Sequence, residues 1–191
     1  EEYWKSKGCL TKQQKGKLGI PDVSAVRWVK SVYIDEIELI TTEVKRGQLS
    51  INHLNQAYGY SKRAHRCYLA SDNLRRLDEF RGQAERLGIG LLHIDRETLE
   101  ITENLSAPRS EPSVEPFISH LAKAFNLVQC AFCSVFLIHD KDTIMLERPR
   151  ATPLTKPRLV LKRYVCNECA KLFPANAFGK PKKRRSSKTA G

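Results

Sequence analysis

The sequence predicts an α/β protein: a mixed central sheet flanked by helices, followed by a small four-cysteine module. Three observations predict it. Strand-like and helix-like runs follow one another across residues 1–103. Cysteines recur as Cys130-x-x-Cys133 and Cys166-x-x-Cys169. Charge divides the chain, since 117–191 holds 15 Lys/Arg against 4 Asp/Glu, whereas 1–116 holds 18 against 17.

Residues 1–8 have helical composition and stop at Gly8, and TKQQKGKLG at 11–19 reads as a polar loop. Val23–Trp28 is a first strand, and 29–36 is ambiguous between loop and hairpin. Ile37–Lys45 alternates, with Ile37, Leu39, Thr41 and Glu43 on one face, which predicts a second strand. Ser50 suits the N-cap of a helix over Ile51–His65. Cys67–Ala70 is a short buried strand, and a helix capped by Ser71 or Asp72 runs to Leu87 and ends at Gly88. Ile89–Ile94 is another strand, with Leu99–Thr102 a short edge strand. The stretch 104–116 carries three prolines and three serines and is expected to be an interdomain linker. An amphipathic helix follows over Glu115–Gln129, grouped with the cysteine module in 117–179. Short strands are expected at Val135–Ile138, Thr143–Leu146 and Leu159–Leu161, and a basic disordered tail at 180–191.

At 191 residues and 41% hydrophobic content the chain can bury a core, and no apolar run reaches the roughly 18 residues needed to span a bilayer. No signal-peptide pattern opens it, and without a Met at position 1 it reads as a fragment of a soluble intracellular protein. In that setting paired CxxC motifs indicate a metal site rather than disulfides. Cys67 reads as a core thiol; Cys9 can be exposed, with no base evident beside it.

The chemistry-bearing stretch is Pro21–Tyr60. Asp22 enters one strand, and Glu43 and Lys45 leave the next on a shared face, because side chains two apart in a strand point the same way. If the strands are neighbours, Asp22 and Glu43 form a carboxylate pair of the kind that holds Mg²⁺ or Mn²⁺. Lys45 beside them can steady a nucleophilic water or developing negative charge. Gln56 and Tyr60 stand i and i+4 on the following helix. His53 and His65 lie on the same helix, and His65 can approach the site, but a surface or satisfied helix-end histidine is the stronger reading. The bland alternative is an Asp22 turn cap and a Glu43–Lys45 surface pair contributing little.

Pro21-Asp22, then Glu43-Val44-Lys45, then Gln56-x-x-x-Tyr60 resembles the PD-(D/E)xK nuclease superfamily in its Mrr-like and RecB-like branches. The resemblance spans about residues 1–103 and implies a restriction-endonuclease-like fold. It implies Asp22 and Glu43 as metal ligands with the Val44 carbonyl as a third, Lys45 as the catalytic lysine, and Gln56 and Tyr60 in support. A first-helix glutamate that the family often adds would be Glu1 or Glu2. The implied activity is metal-dependent DNA endonuclease hydrolysis.

Four thiolates at this spacing suit tetrahedral Zn²⁺ in a zinc-ribbon or treble-clef-like module, with an iron–sulfur cluster or redox dithiols as alternatives. Arg148, Arg150, Lys156, Arg158, Lys162 and Arg163 lie between the knuckles, where they suit phosphate contacts to duplex or branched DNA. The tail Lys180–Arg185 suits nuclear import or non-specific nucleic-acid binding. A homodimer or larger complex is compatible with all of this. Two other functions remain open: a nuclease-fold protein that only binds DNA or acts as an adaptor, and a non-nuclease α/β protein whose zinc module contacts proteins.

Overall fold

The computed structural model describes residues 1–14, 19–29, 36–130, 132–138, 143–145 and 164–172. It divides into two compact units, Glu1–Asn126 and Leu127–Gly191.

The first unit is built on a six-stranded mixed sheet whose spatial order follows the chain, β1 to β6. Its strands are β1 (Leu10–Gln13), β2 (Val23–Val29), β3 (Glu36–Lys45), β4 (Arg66–Ser71), β5 (Ile89–Ile94) and β6 (Ile101–Leu105). β1, β2 and β3 pair antiparallel, β3, β4 and β5 parallel, and β6 antiparallel to β5. The two parallel crossovers carry the helices α2 (Ile51–Tyr58) and α3 (Leu74–Leu87), as parallel pairing requires. α1 (Glu2–Ser6) precedes the sheet and α4 (Val114–Phe125) follows it.

Alternation along the strands separates two faces. One buries Val23, Ala25, Ile40, Tyr68, Ala70 and Leu92 with Trp4 of α1 and with Cys9, which is a buried thiol. Trp4 anchors α1 by donating its indole N–H to Thr42 Oγ1 at 3.0 Å. Glu43 and Lys45 lie on the opposite face, where α2 packs. Gly90 has no room for a side chain: a Cβ there would sit 2.3 Å from the Tyr68 ring and 2.8 Å from the Ala107 amide nitrogen. That close approach lets Tyr68 Oη accept the Ala107 N–H while donating to Glu103 at 2.8 Å.

Several boundaries differ from the sequence reading for identifiable reasons. The polar Leu10–Gln13 is an edge strand, not loop, because it needs only one paired side, against β2. α2 ends at Tyr58, with Tyr60, Ser61 and Arg63 in successive turns rather than helix to His65. α3 is capped by Asn73, whose Oδ1 accepts the Arg76 N–H at 3.1 Å, and closes on Gly88 in the left-handed region. The Pro/Ser-rich stretch expected as a linker is held within the first unit. Ala107 is buried and its carbonyl accepts from Arg66, while the Ser110 amide bonds to His65 O and the Ser113 amide to Lys62 O. α4 also lies in that unit, with His120 Nε2 2.9 Å from Ser24 Oγ. It stops at Asn126, whose left-handed backbone (φ 57°) breaks the helix before the expected Gln129.

Among its described residues the second unit has two small two-stranded sheets. β7 (Leu127–Gln129) pairs with β8 (Phe136–Ile138), and β9 (Thr143–Met145) with β10 (Tyr164–Cys166), which leads into the single-turn α5 (Asn167–Ala170). The expected Leu159–Leu161 strand and the 180–191 tail lie outside the described residues. No helix among the described residues is long and apolar enough to cross a membrane.

Candidate functional site

β2 and β3 pair with Val23 opposite Thr42, so the next residues outward, Asp22 and Glu43, stand side by side where β2 begins and β3 nears its end. Asp22 is fixed there by its own backbone carbonyl, which accepts the Gln14 amide at 2.9 Å. Its carboxylate Oδ2 accepts the Val44 amide at 2.8 Å, tying the aspartate to the neighbouring strand at the Glu43-Val44-Lys45 triplet.

Glu43 is the centre of the arrangement. It is 1% exposed, and both of its oxygens are engaged. Oε1 lies 2.6 Å from Lys45 Nζ, and Oε2 accepts the Tyr60 hydroxyl at 2.9 Å. Gln56 Nε2 donates to the same hydroxyl at 3.3 Å. A relay therefore runs from Gln56 through Tyr60 to Glu43, with Lys45 closing it from the strand side. Lys45 keeps 26% of its side chain exposed, so the ammonium joins a buried carboxylate to solvent. Burial pushes the Tyr60 phenol well above its ordinary pKa; the Gln56 bond pulls it down, and the Glu43 bond reinforces the rise. Tyr60 is thus a donor at every physiological pH.

The structure brings Asp22, Glu43, Val44, Lys45, Gln56 and Tyr60 together. The histidine nearby is His53, not His65. His65 is buried at the other end of β3, where its backbone amide donates to Leu39 O at 2.8 Å and its Nδ1 accepts the Leu39 amide at 3.0 Å. Glu1 Oε1 accepts from Thr11 Oγ1, and Glu2 pairs with Lys5 at the surface.

Two buried polar clusters escaped the sequence reading. Glu38 is fully enclosed and bridges Arg27, whose Nε is at 2.6 Å, and Arg66, whose Nε is at 2.7 Å. Burial raises the Glu38 pKa, but the two guanidiniums outweigh it and hold the carboxyl below its ordinary value. The available signal was Arg27 falling opposite Glu38 in the register of two strands already recognised. The other cluster is the Ser24–His120 pair, in which burial pushes the imidazole down to about 4. No local pattern announces it, since the partners are 96 residues apart.

In the second unit, Cys130, Cys133, Cys166 and Cys169 bring four sulfurs within 4.8 Å of one another. Cys133 and Cys166 sulfurs are 3.8 Å apart, too far for a disulfide bond. They fit a zinc tetrahedron, whose bonds of about 2.3 Å put sulfurs about 3.8 Å apart. Backbone amides face the sulfurs: Phe132 N and Cys166 N toward Cys130 Sγ at 3.5 and 3.4 Å, and Cys169 N toward Cys166 Sγ at 3.3 Å. Burial works against the Cys130 thiolate, but the amides of Cys133, Cys166 and Phe132 overcome it and draw its pKa down to about 6. Its neighbour Cys169 is pushed up to about 12, first by its bond with the Cys166 sulfur and then by burial. Four thiolates in so small a space need a cation to ionise together, and the cluster could hold zinc. Arg148, Arg150, Lys156, Arg158, Lys162 and Arg163 lie outside the described residues.

No protein-family model matches the chain, and neither the curated proteins nor the solved structures yield a match.

Proposed function

We propose that the chain is a Mg²⁺-dependent DNA endonuclease that hydrolyses phosphodiester bonds, with a zinc-stabilised basic module that holds the DNA. The observation that carries this reading is the convergence of Asp22, Glu43 and Lys45 at one strand end, with Tyr60 and Gln56 bonded behind them. The resemblance to PD-(D/E)xK nucleases rests on these same residues; the order around them is helix, three strands, helix, strand, one strand more than the sequence predicts, and is compatible with it.

The donor set suits a hard cation: two carboxylates side by side, with no described residue bonded to Asp22 Oδ1, and the Val44 carbonyl next in the chain. Bound there, Mg²⁺ would neutralise phosphate charge and acidify a water. The protein's own residues do the rest. Tyr60 and Gln56 keep Glu43 oriented. Lys45, exchanging its bond to Glu43 for one to the attacking water or the phosphate, stabilises the charge that develops in hydrolysis. The 117–191 segment carries a net +11, compatible with gripping the DNA backbone without reading sequence.

A second reading, a nuclease-like domain that binds DNA without cutting it, is favoured by Glu43 having both oxygens occupied. Plasmid cleavage decides between them. Cleavage by the wild type with Mg²⁺, abolished by EDTA and reduced at least about 100-fold in Asp22→Ala and Lys45→Ala, is expected. Salt-sensitive DNA binding without cleavage favours the second reading, and cleavage unchanged in both variants removes these residues from the mechanism.

A further inference from the structure

His53 belongs to the same helix line as the residues behind Glu43. Counting back from Tyr60, Gln56 is four residues and His53 seven residues away, so the three share one side of α2 and its following turn. The chain reverses between β3 and α2, so moving toward the start of α2 runs alongside moving toward the end of β3. Tyr60 meets Glu43, and His53, one turn further out than Gln56, falls at the level of Lys45.

Its ring has a fixed tautomer. His53 Nδ1 accepts the Ser50 backbone N–H at 3.3 Å as half of the capping box that starts α2. A neutral imidazole has one donor and one acceptor, so with Nδ1 accepting, Nε2 carries the proton. Among the described residues nothing bonds to Nε2. Burial first, and then the Lys45 ammonium, hold the His53 pKa below its ordinary value while Glu43 opposes them, so the ring stays neutral within electrostatic reach of both. A neutral donor beside a lysine can approach an anion without repelling a cation bound to the carboxylates.

We propose that His53 is a substrate-contacting residue whose Nε2–H donates to a non-bridging oxygen of the DNA phosphate that occupies the Glu43–Lys45 site. This rests on the nuclease reading above, deepened by a contact to the reacting phosphate. The two ring nitrogens have different jobs, which two substitutions separate. Asn places its amide near the Nδ1 position and retains the cap but not the outward donor; Gln reaches the Nε2 position and retains the donor.

In the full chain with Mg²⁺ and duplex DNA, His53→Asn is expected to lose about 100-fold in kcat with KM little changed, and His53→Gln to stay within about 10-fold of wild type. The reverse order, with His53→Asn normal and His53→Gln impaired, leaves His53 as a cap only and overturns the proposal. A second readout does not need cleavage. In ¹⁵N-histidine-labelled wild type, a short duplex added with Ca²⁺ in place of Mg²⁺ should shift the His53 Nε2 resonance and leave Nδ1 nearly unmoved. Cleavage without that shift overturns the His53 contact and leaves the nuclease standing. The shift without cleavage retains the contact and refutes the nuclease, and neither refutes both.

Discussion

The two units present contrasting ways of bringing candidate metal ligands together in a chain. The four thiols come as two local Cys-x-x-Cys knuckles and meet in a unit whose described strands are three residues long. The Asp22–Glu43 pair instead depends on the register of two long strands, and its members are 21 residues apart with a sheet already formed around them. In the first unit a large apolar core includes the buried Leu39, Leu54, Leu69, Leu77 and Leu91. Among the described residues of the second, the cluster around the sulfurs is Val165 and three of the cysteines themselves. On the proposed reading, an ion in the second unit would be part of folding, whereas one in the first would accompany the substrate.

The largest effect that could break this contrast is metal removal. Chelation, or Cys130→Ser, is expected to unfold the second unit, since structural zinc supplies on the order of 10 kcal/mol to modules of this kind. One zinc per chain should be found by elemental analysis before chelation, and the tryptophan fluorescence of the first unit, which holds Trp4 and Trp28, should persist afterwards. Loss of both signals together would mean that the units do not fold independently.

A smaller effect sharpens the comparison from the other side. Folding lowers the His120 pKa from 6.5 to about 4, so the unfolded chain binds the extra proton between those values. Stability from this site is fully present above pH 6.5 and is lost as pH falls toward 4. The first unit should lose about 2 kcal/mol between pH 7 and pH 5 from this group alone. Urea unfolding followed by the first unit's tryptophans should show that slope in the wild type, and His120→Gln should flatten it. An equal slope in the variant would assign it to other groups.

The sequence alone made the strands of the sheet legible where apolar residues alternate, and through that alternation placed Glu43 and Lys45 on one face. It also made the cysteine cluster legible, because CxxC spacing is a local property. It misjudged features whose partners are distant. Leu10–Gln13 looks like loop because an edge strand needs few apolar residues. The 104–116 stretch looks like a linker because proline and serine say nothing of the Arg66 and His65 groups that bind it. His65, read chiefly as a surface or satisfied helix-end histidine, is indeed satisfied, with its amide and its Nδ1 both bonded to Leu39. Glu38 would pass for a surface charge until Arg27 and Arg66 are seen closing over it.

The central claim is that Asp22 and Glu43 together hold a hard divalent cation beside Lys45. A crystal structure of the protein with Mn²⁺, located by its anomalous signal, tests it most directly. The predicted result is Mn²⁺ about 2.2 Å from oxygens of both carboxylates, with Lys45 turned away from Glu43 and zinc separately at the four cysteines. Manganese absent from the Asp22–Glu43 pair, with Glu43 still bonded to Lys45 and Tyr60, would contradict it.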